Sequence, residues 1–121
     1  MSCTVRFNTR IKDVALLRRA CDQMRNAKLA VEGPTVHGDR QCVRMPGWGS
    51  VLIDCTTGEA TYDSDYAGDR KILNRLSQEY GVAAAAQELL QDGCYISSTE
   101  YDGVTGLLRA RVEIPEMVAN G

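Results

Sequence analysis

Hydrophobic and polar positions change rhythm several times along the chain, and each change marks an element. In "CTVRFNT" (residues 3–9), Cys3, Val5 and Phe7 alternate with Thr4, Arg6 and Asn8, the period-two pattern of a half-buried strand. From Ile11 the period lengthens. Val14, Leu17, Cys21 and Met24 fall on one helical face behind Asp13, a good N-cap, while Arg18, Arg19, Gln23 and Arg25 lie largely elsewhere and read as solvated. The stretch from Leu29 to Gly49 is weakly patterned. "EGPTVHGDR" reads as polar turn, "QCVRM" as a short strand and "MPGWGS" as a Pro-Gly turn. "SVLIDC", the turn "TTGE" and "ATYDS" then form a meander of antiparallel strands.

The strongest helix follows. In "DRKILNRLSQEYGVAAAAQELLQDG", Leu73, Leu76, Tyr80, Ala83 and Leu90 trace the apolar stripe, and Gly93 is placed to end it. Gly81 in its interior signals a kink or a close contact, and the run Ala83 to Ala86 suits close approach to a sheet. A final hairpin, "CYISSTEYDGVTGLLRARVEI", sets Leu108, Ala110, Val112 and Ile114 on the inward face. Arg109, Arg111 and Glu113 take the outward one, with Asp102-Gly103 in the loop. The order β-α-β-β-β-α-β-β predicts an α+β fold: an antiparallel sheet of about five to six strands with two helices packed on one face. Residues 1–114 read as one domain and 115–121 as a flexible tail.

Composition narrows the function classes. The chain has 121 residues, enough for one core. A net charge of -2 gives no broad attraction to nucleic acid or anionic membrane. No apolar run approaches the ~20 residues that span a bilayer. Nor does the start of the chain have the apolar centre of a secretion signal, so the expected location is cytoplasmic. Five scattered cysteines, with no close Cys-x-x-Cys pair, read as small apolar residues of a reduced core rather than a disulfide framework or a zinc site.

Candidate chemistry is sparse. "DSDYAGD" places Asp63, Asp65 and Asp69 close together. As a calcium loop, however, it lacks the glutamate at the twelfth position, where Asn74 stands, and a strand precedes it. Asp69 as helix cap, with Asp63 and Asp65 near a positive helix terminus, accounts for the cluster. His37, the sole histidine, has no diagnostic neighbour, and Asp54, Glu59 and Asp63 read as exposed strand charges rather than an acid-base pair. No Walker pattern is present. The arginines Arg109 and Arg111, with Tyr95 and Tyr101 across the hairpin, form the candidate binding surface. It loosely resembles a sheet-face RNA platform but lacks that platform's aromatic-rich signature. Eleven of the fourteen basic residues are arginine, which suits bidentate contacts and protein interfaces.

Several features together resemble the family called hypothetical chloroplast reading frame 35, a domain found in red-algal plastids, cyanobacteria, other bacteria and phages. They are the acidic-aromatic stretch Asp63, Asp65 and Tyr66, the Leu-Asn-Arg-Leu step from Leu73 to Leu76, the Gln-x-Tyr step Gln78 and Tyr80, and the late Asp-Gly loop. "TRIKDVALLRRAC" is similar to the family's opening strand and helix. The resemblance implies an accessory or adaptor role, with an AAA-type ATPase as partner, and no activity to carry over. The expectation is therefore a non-enzymatic protein-binding module without cofactor. The alternative is a phage-type regulatory or nucleic-acid-associated protein acting through Arg109 and Arg111.

Overall fold

The computed structural model describes residues 4–46, 49–63 and 70–115, which form an α+β fold of seven strands and two helices. Strand β1 (Thr4–Asn8) is followed by α1 (Val14–Asn26). The meander β2 (Glu32–His37), β3 (Arg40–Met45), β4 (Gly49–Asp54) and β5 (Glu59–Asp63) comes next. Helix α2 (Arg70–Gln91) and the hairpin β6 (Tyr95–Asp102) and β7 (Leu107–Glu113) complete it.

Two antiparallel sheets result, not one. Five strands lie in the order β1-β5-β4-β3-β2, and β6 and β7 form a separate two-stranded ribbon. The expected antiparallel sheet is the five-stranded one, and the hairpin packs on α2 rather than extending it. The added strand is β2, whose residues read as turn. It runs at the edge of its sheet with Val36 77% exposed, so no inward-outward alternation marks it. His37 accordingly ends a strand, exposed to solvent, rather than sitting in a loop.

Register places the apolar strand residues on one face. Val5 and Val51 flank Tyr62, Phe7 and Ile53 flank Ala60, and Val43 stands beside Val51. The Phe7 and Tyr62 rings meet edge to face at 5.7 Å. Against this face lie Leu16, Leu17, Ala20, Cys21 and Met24 of α1, joined in the same core by Leu76 and Tyr80 of α2. Each fully buried aliphatic side chain contributes roughly 1.5–3 kcal/mol. The opposite face is polar. There Arg40 Nη1 donates to Thr61 Oγ1 at 3.2 Å, and its Nη2 lies 3.7 Å from Glu59 Oε1.

Local chemistry fixes the helix ends. The Asp13 carboxylate accepts from the backbone N–H groups of Ala15 and Leu16, at 2.8 and 3.3 Å, capping α1. Each helix closes with paired backbone bonds. Leu29 N–H donates to Met24 O and Lys28 N–H to Arg25 O after α1, and Cys94 N–H donates to Leu89 O and Gly93 N–H to Leu90 O after α2. The left-handed position is Gly93 in α2, as its sequence signals, but Lys28 in α1, with φ of 69°. Helix α2 is tied to the start of α1 by Tyr80, whose hydroxyl accepts from the N–H groups of Lys12 and Asp13 at 3.1 and 3.0 Å.

Three further expectations change. Leu90 is 67% exposed, because α2 runs on beyond the core in its last turns and Leu89 turns inward instead. A Cβ at Gly81 would meet no atom within 4 Å, so that glycine answers to no contact among the described residues. Of the cysteines, Cys21 alone is fully buried among the described residues, and Cys42, Cys55 and Cys94 are half-buried free thiols.

Candidate protein-interaction site

Strand β1 lies at the end of the five-stranded sheet, and among the described residues no strand pairs with its outer edge. Its row of N–H and C=O groups runs beside a trough of about 1050 Å³ between β1 and α2. Phe7, Tyr62, Leu73 and Tyr80 supply an apolar floor. The rim is polar: Arg6 and Arg10 on the strand side, and Asn74, Ser77 and Glu88 on the helix side. On the helix wall Gly81, Ala84 and Ala85 keep the opening wide, which is the use the structure makes of the small residues in α2. An apolar floor inside a polar rim is the anatomy of a protein interface.

The hairpin distributes its predicted binding residues over two faces. Tyr95 stands opposite Glu113, Arg109 opposite Glu100 and Arg111 opposite Ser98, so Tyr95, Arg109 and Arg111 share a face. Tyr101, opposite Leu108, is on the other face, where the Arg75 guanidinium lies 4.2 Å from the centre of its ring. Tyr101 therefore serves the hairpin's attachment to α2. Arg111 is 3.1 Å from Glu113, so this face carries balanced charge rather than a basic patch. The inward set of β7 is also revised. Leu108 is half-buried, but Ala110 is exposed, Val112 is 46% exposed and Ile114 74%, because α2 covers only part of the ribbon.

What holds the ribbon is a cluster on α2 that the sequence pattern did not single out as a site. The Gln78 side-chain amide makes two bonds to the start of β7: its Nε2 donates to Gly106 O at 2.8 Å, and its Oε1 accepts from Leu108 N–H at 2.7 Å. Beside it, Glu79 is 3% exposed and sits 3.6 Å from Arg75. Burial pushes the Glu79 carboxyl above its usual range, and Arg75 offsets this in part. A second cavity, of about 410 Å³, opens between Glu79, Arg19 of α1 and Ser97 to Thr99 of β6. The only sequence signal was the Gln-x-Tyr step. Both of its residues prove to be tethers, Gln78 to the hairpin and Tyr80 to the start of α1.

The acidic candidates have structural partners or lie outside view. Asp54 faces Glu59 across β4 and β5, but it accepts from Thr56 N–H in the turn, and that backbone bond holds its carboxyl below the usual range. Glu59 is engaged by Arg40. Asp63 ends β5 opposite Thr4, and Asp65 and Asp69 fall outside the described residues. Among the described residues no three His, Cys, Asp or Glu side chains converge as a metal site would require. None of the described helices is long and apolar enough to cross a membrane.

Fold and site together define a small α+β protein with an open strand edge bordering an apolar-floored trough. Compared with protein-family models, curated proteins and solved structures, the chain finds no match.

Proposed function

We propose that this protein is a non-enzymatic binding module that captures an extended segment of a partner protein along β1. The observation that carries the reading is the unpaired β1 edge lying beside the β1/α2 trough. An added strand would take its affinity from main-chain hydrogen bonds to that edge. Specificity would come from every second side chain, set on the floor of Phe7, Tyr62 and Tyr80. The arginines on the strand side of the rim favour acidic residues at the intervening positions of that segment. The resemblance to the reading-frame 35 family makes an AAA-type ATPase subunit the first partner to test. The nucleic-acid alternative draws less support, because Arg111 is paired with Glu113 and Arg109 faces Glu100.

A photo-crosslinking side chain at Ala85, in the trough, tests the reading against the same probe at Val36, on the far edge of the sheet. The Ala85 probe should label a discrete protein in an extract of the native host, and the label should vanish with Gly81→Phe. That substitution projects a ring into the trough from a position where a Cβ meets nothing within 4 Å. Equal labelling from Ala85 and Val36, or labelling indifferent to Gly81→Phe, would remove β1 as the binding edge.

A further inference from the structure

Among the described residues no strand pairs with the outer edge of β7, and that edge has a defined length. Gln78 takes up the outward-facing groups of Gly106 and Leu108 on β7. Because backbone groups alternate in direction along a strand, Ala110 and Val112 also turn their N–H and C=O outward, and Ile114, the residue just past β7, continues that series when the strand extends by one residue. Pro115 follows and has no N–H to offer. The open window therefore runs from Ala110 to Ile114, bounded by the Gln78 amide at one end and by proline at the other. Val112 is its midpoint. Ala110, Val112 and Ile114 are all exposed and share one face of the strand.

We propose that two copies of this chain pair antiparallel through these windows, joining their hairpins into one four-stranded sheet. In this register Val112 faces Val112 of the second copy, and Ala110 faces Ile114 on either side. The three facing pairs exchange about six hydrogen bonds. Between them Arg111 of each copy faces Glu113 of the other. Since Arg111 already lies 3.1 Å from Glu113 of its own chain, the four charges alternate in sign around the two-fold axis.

Charge also rejects the neighbouring registers. Centring on Ala110 sets Arg109 against Arg111 and presents Leu108, whose N–H is already taken. Centring on Arg111 sets that residue against its own copy. The same patch serves both copies, as a closed two-fold contact requires. The pairing also places the apolar stripes of Ala110, Val112 and Ile114 side by side.

Analytical ultracentrifugation across a concentration series, with the charge pair reversed one member at a time, tests this. The unaltered protein should show a monomer–dimer equilibrium. Arg111→Glu alone and Glu113→Arg alone should each weaken it by about tenfold or more, since each sets like charges face to face. Mixing the two single variants should restore association, because the two acidic side chains of one then meet the two arginines of the other. A loss of fold in either variant could not produce that rescue. As a second readout, hydrogen exchange at Ala110, Val112 and Ile114 should slow as concentration rises, with no change at Arg109 and Arg111. A protein that stays monomeric throughout overturns the proposal. So does a dimer indifferent to both charge reversals, or one that leaves the Val112 amide unprotected.

Discussion

Removing the Gln78 side-chain amide should release the hairpin while leaving the rest of the fold in place. Its two bonds to Gly106 and Leu108, at 2.8 and 2.7 Å, are the direct hydrogen bonds identified between α2 and β7. Each bond contributes about 0.5–1.5 kcal/mol net, so Gln78→Ala should lower the free energy of local hairpin opening by about 1–3 kcal/mol. The stacking of Arg75 on Tyr101 remains, at about 0.5–1 kcal/mol. An isolated two-stranded ribbon is marginal in water, so the loss falls on local rather than global stability. Exchange of the β6 and β7 amides should accelerate by a factor of about 5 to 150, read by hydrogen exchange and mass spectrometry. Amides of β3 and β4 provide the internal reference.

Gln78→Glu sharpens the test. Ionised, it keeps the acceptor for Leu108 but points a carboxylate oxygen at Gly106 O. Protonated at acidic pH, it regains a donor, and hairpin protection should return. Hairpin exchange in Gln78→Ala that matches the unaltered protein, with the sheet also unchanged, would refute the reasoning.

Three other outcomes follow from the same geometry. Gly58 has φ of +82°, and a Cβ there would sit 2.3 Å from Thr9 O, so Gly58→Ala should cost at least about 2 kcal/mol in chemical denaturation; a smaller loss would mean that the turn relaxes freely. Burial raises the folded carboxyl pKa of Glu79 above its unfolded value. Its contribution to stability is thus complete at pH below about 4 and declines as pH rises through the folded value, so Glu79→Gln should gain relative to the unaltered protein toward neutrality, and parallel pH–stability curves would count against this. Burial pushes the Cys21 thiol up to about 11, so native iodoacetamide labelling at pH about 8 should modify the half-buried Cys42, Cys55 and Cys94 before Cys21; equal rates would contradict the buried site.

How far the sequence reads through to the fold depends on whether a signal is local. The start of α1 was legible because Asp13 and the spacing of Leu17, Cys21 and Met24 act within a few residues of one another. The end of α2 was legible in Gly93. The left-handed position that closes α1 was not, because Lys28 occupies it where glycine usually stands. Strand β2 escaped notice because alternation arises only when one face is covered, and Val36 within it is open to water. On β7 the alternation correctly sorted Leu108, Ala110, Val112 and Ile114 onto one face. Periodicity tells which residues share a face but not whether anything covers it, and here Ala110, Val112 and Ile114 are left exposed. The trough was beyond reach for a similar reason: Phe7 and Gly81 are brought together only by the packing of β1 near α2. Glu79 reads as one more charge on a helix until its burial is seen.

The two ends of the five-stranded sheet are not equivalent. At β2 the register with β3 slips between Glu32 and Thr35, and Pro34 in that interval has no N–H, so this border offers an interrupted ladder. The β1 border has no such interruption, its pairing with β5 running regularly from Thr4 to Asn8. Runaway fibre growth by strand addition needs two receptive borders on every unit, so that each newcomer leaves a fresh template behind it. A sheet receptive on one side alone can take up a single strand and then stops. Within the five-stranded sheet the irregularity at Pro34 thus acts as a chain terminator: among the described residues β1 is its one regular open border, so strand addition to this sheet stops after a single strand.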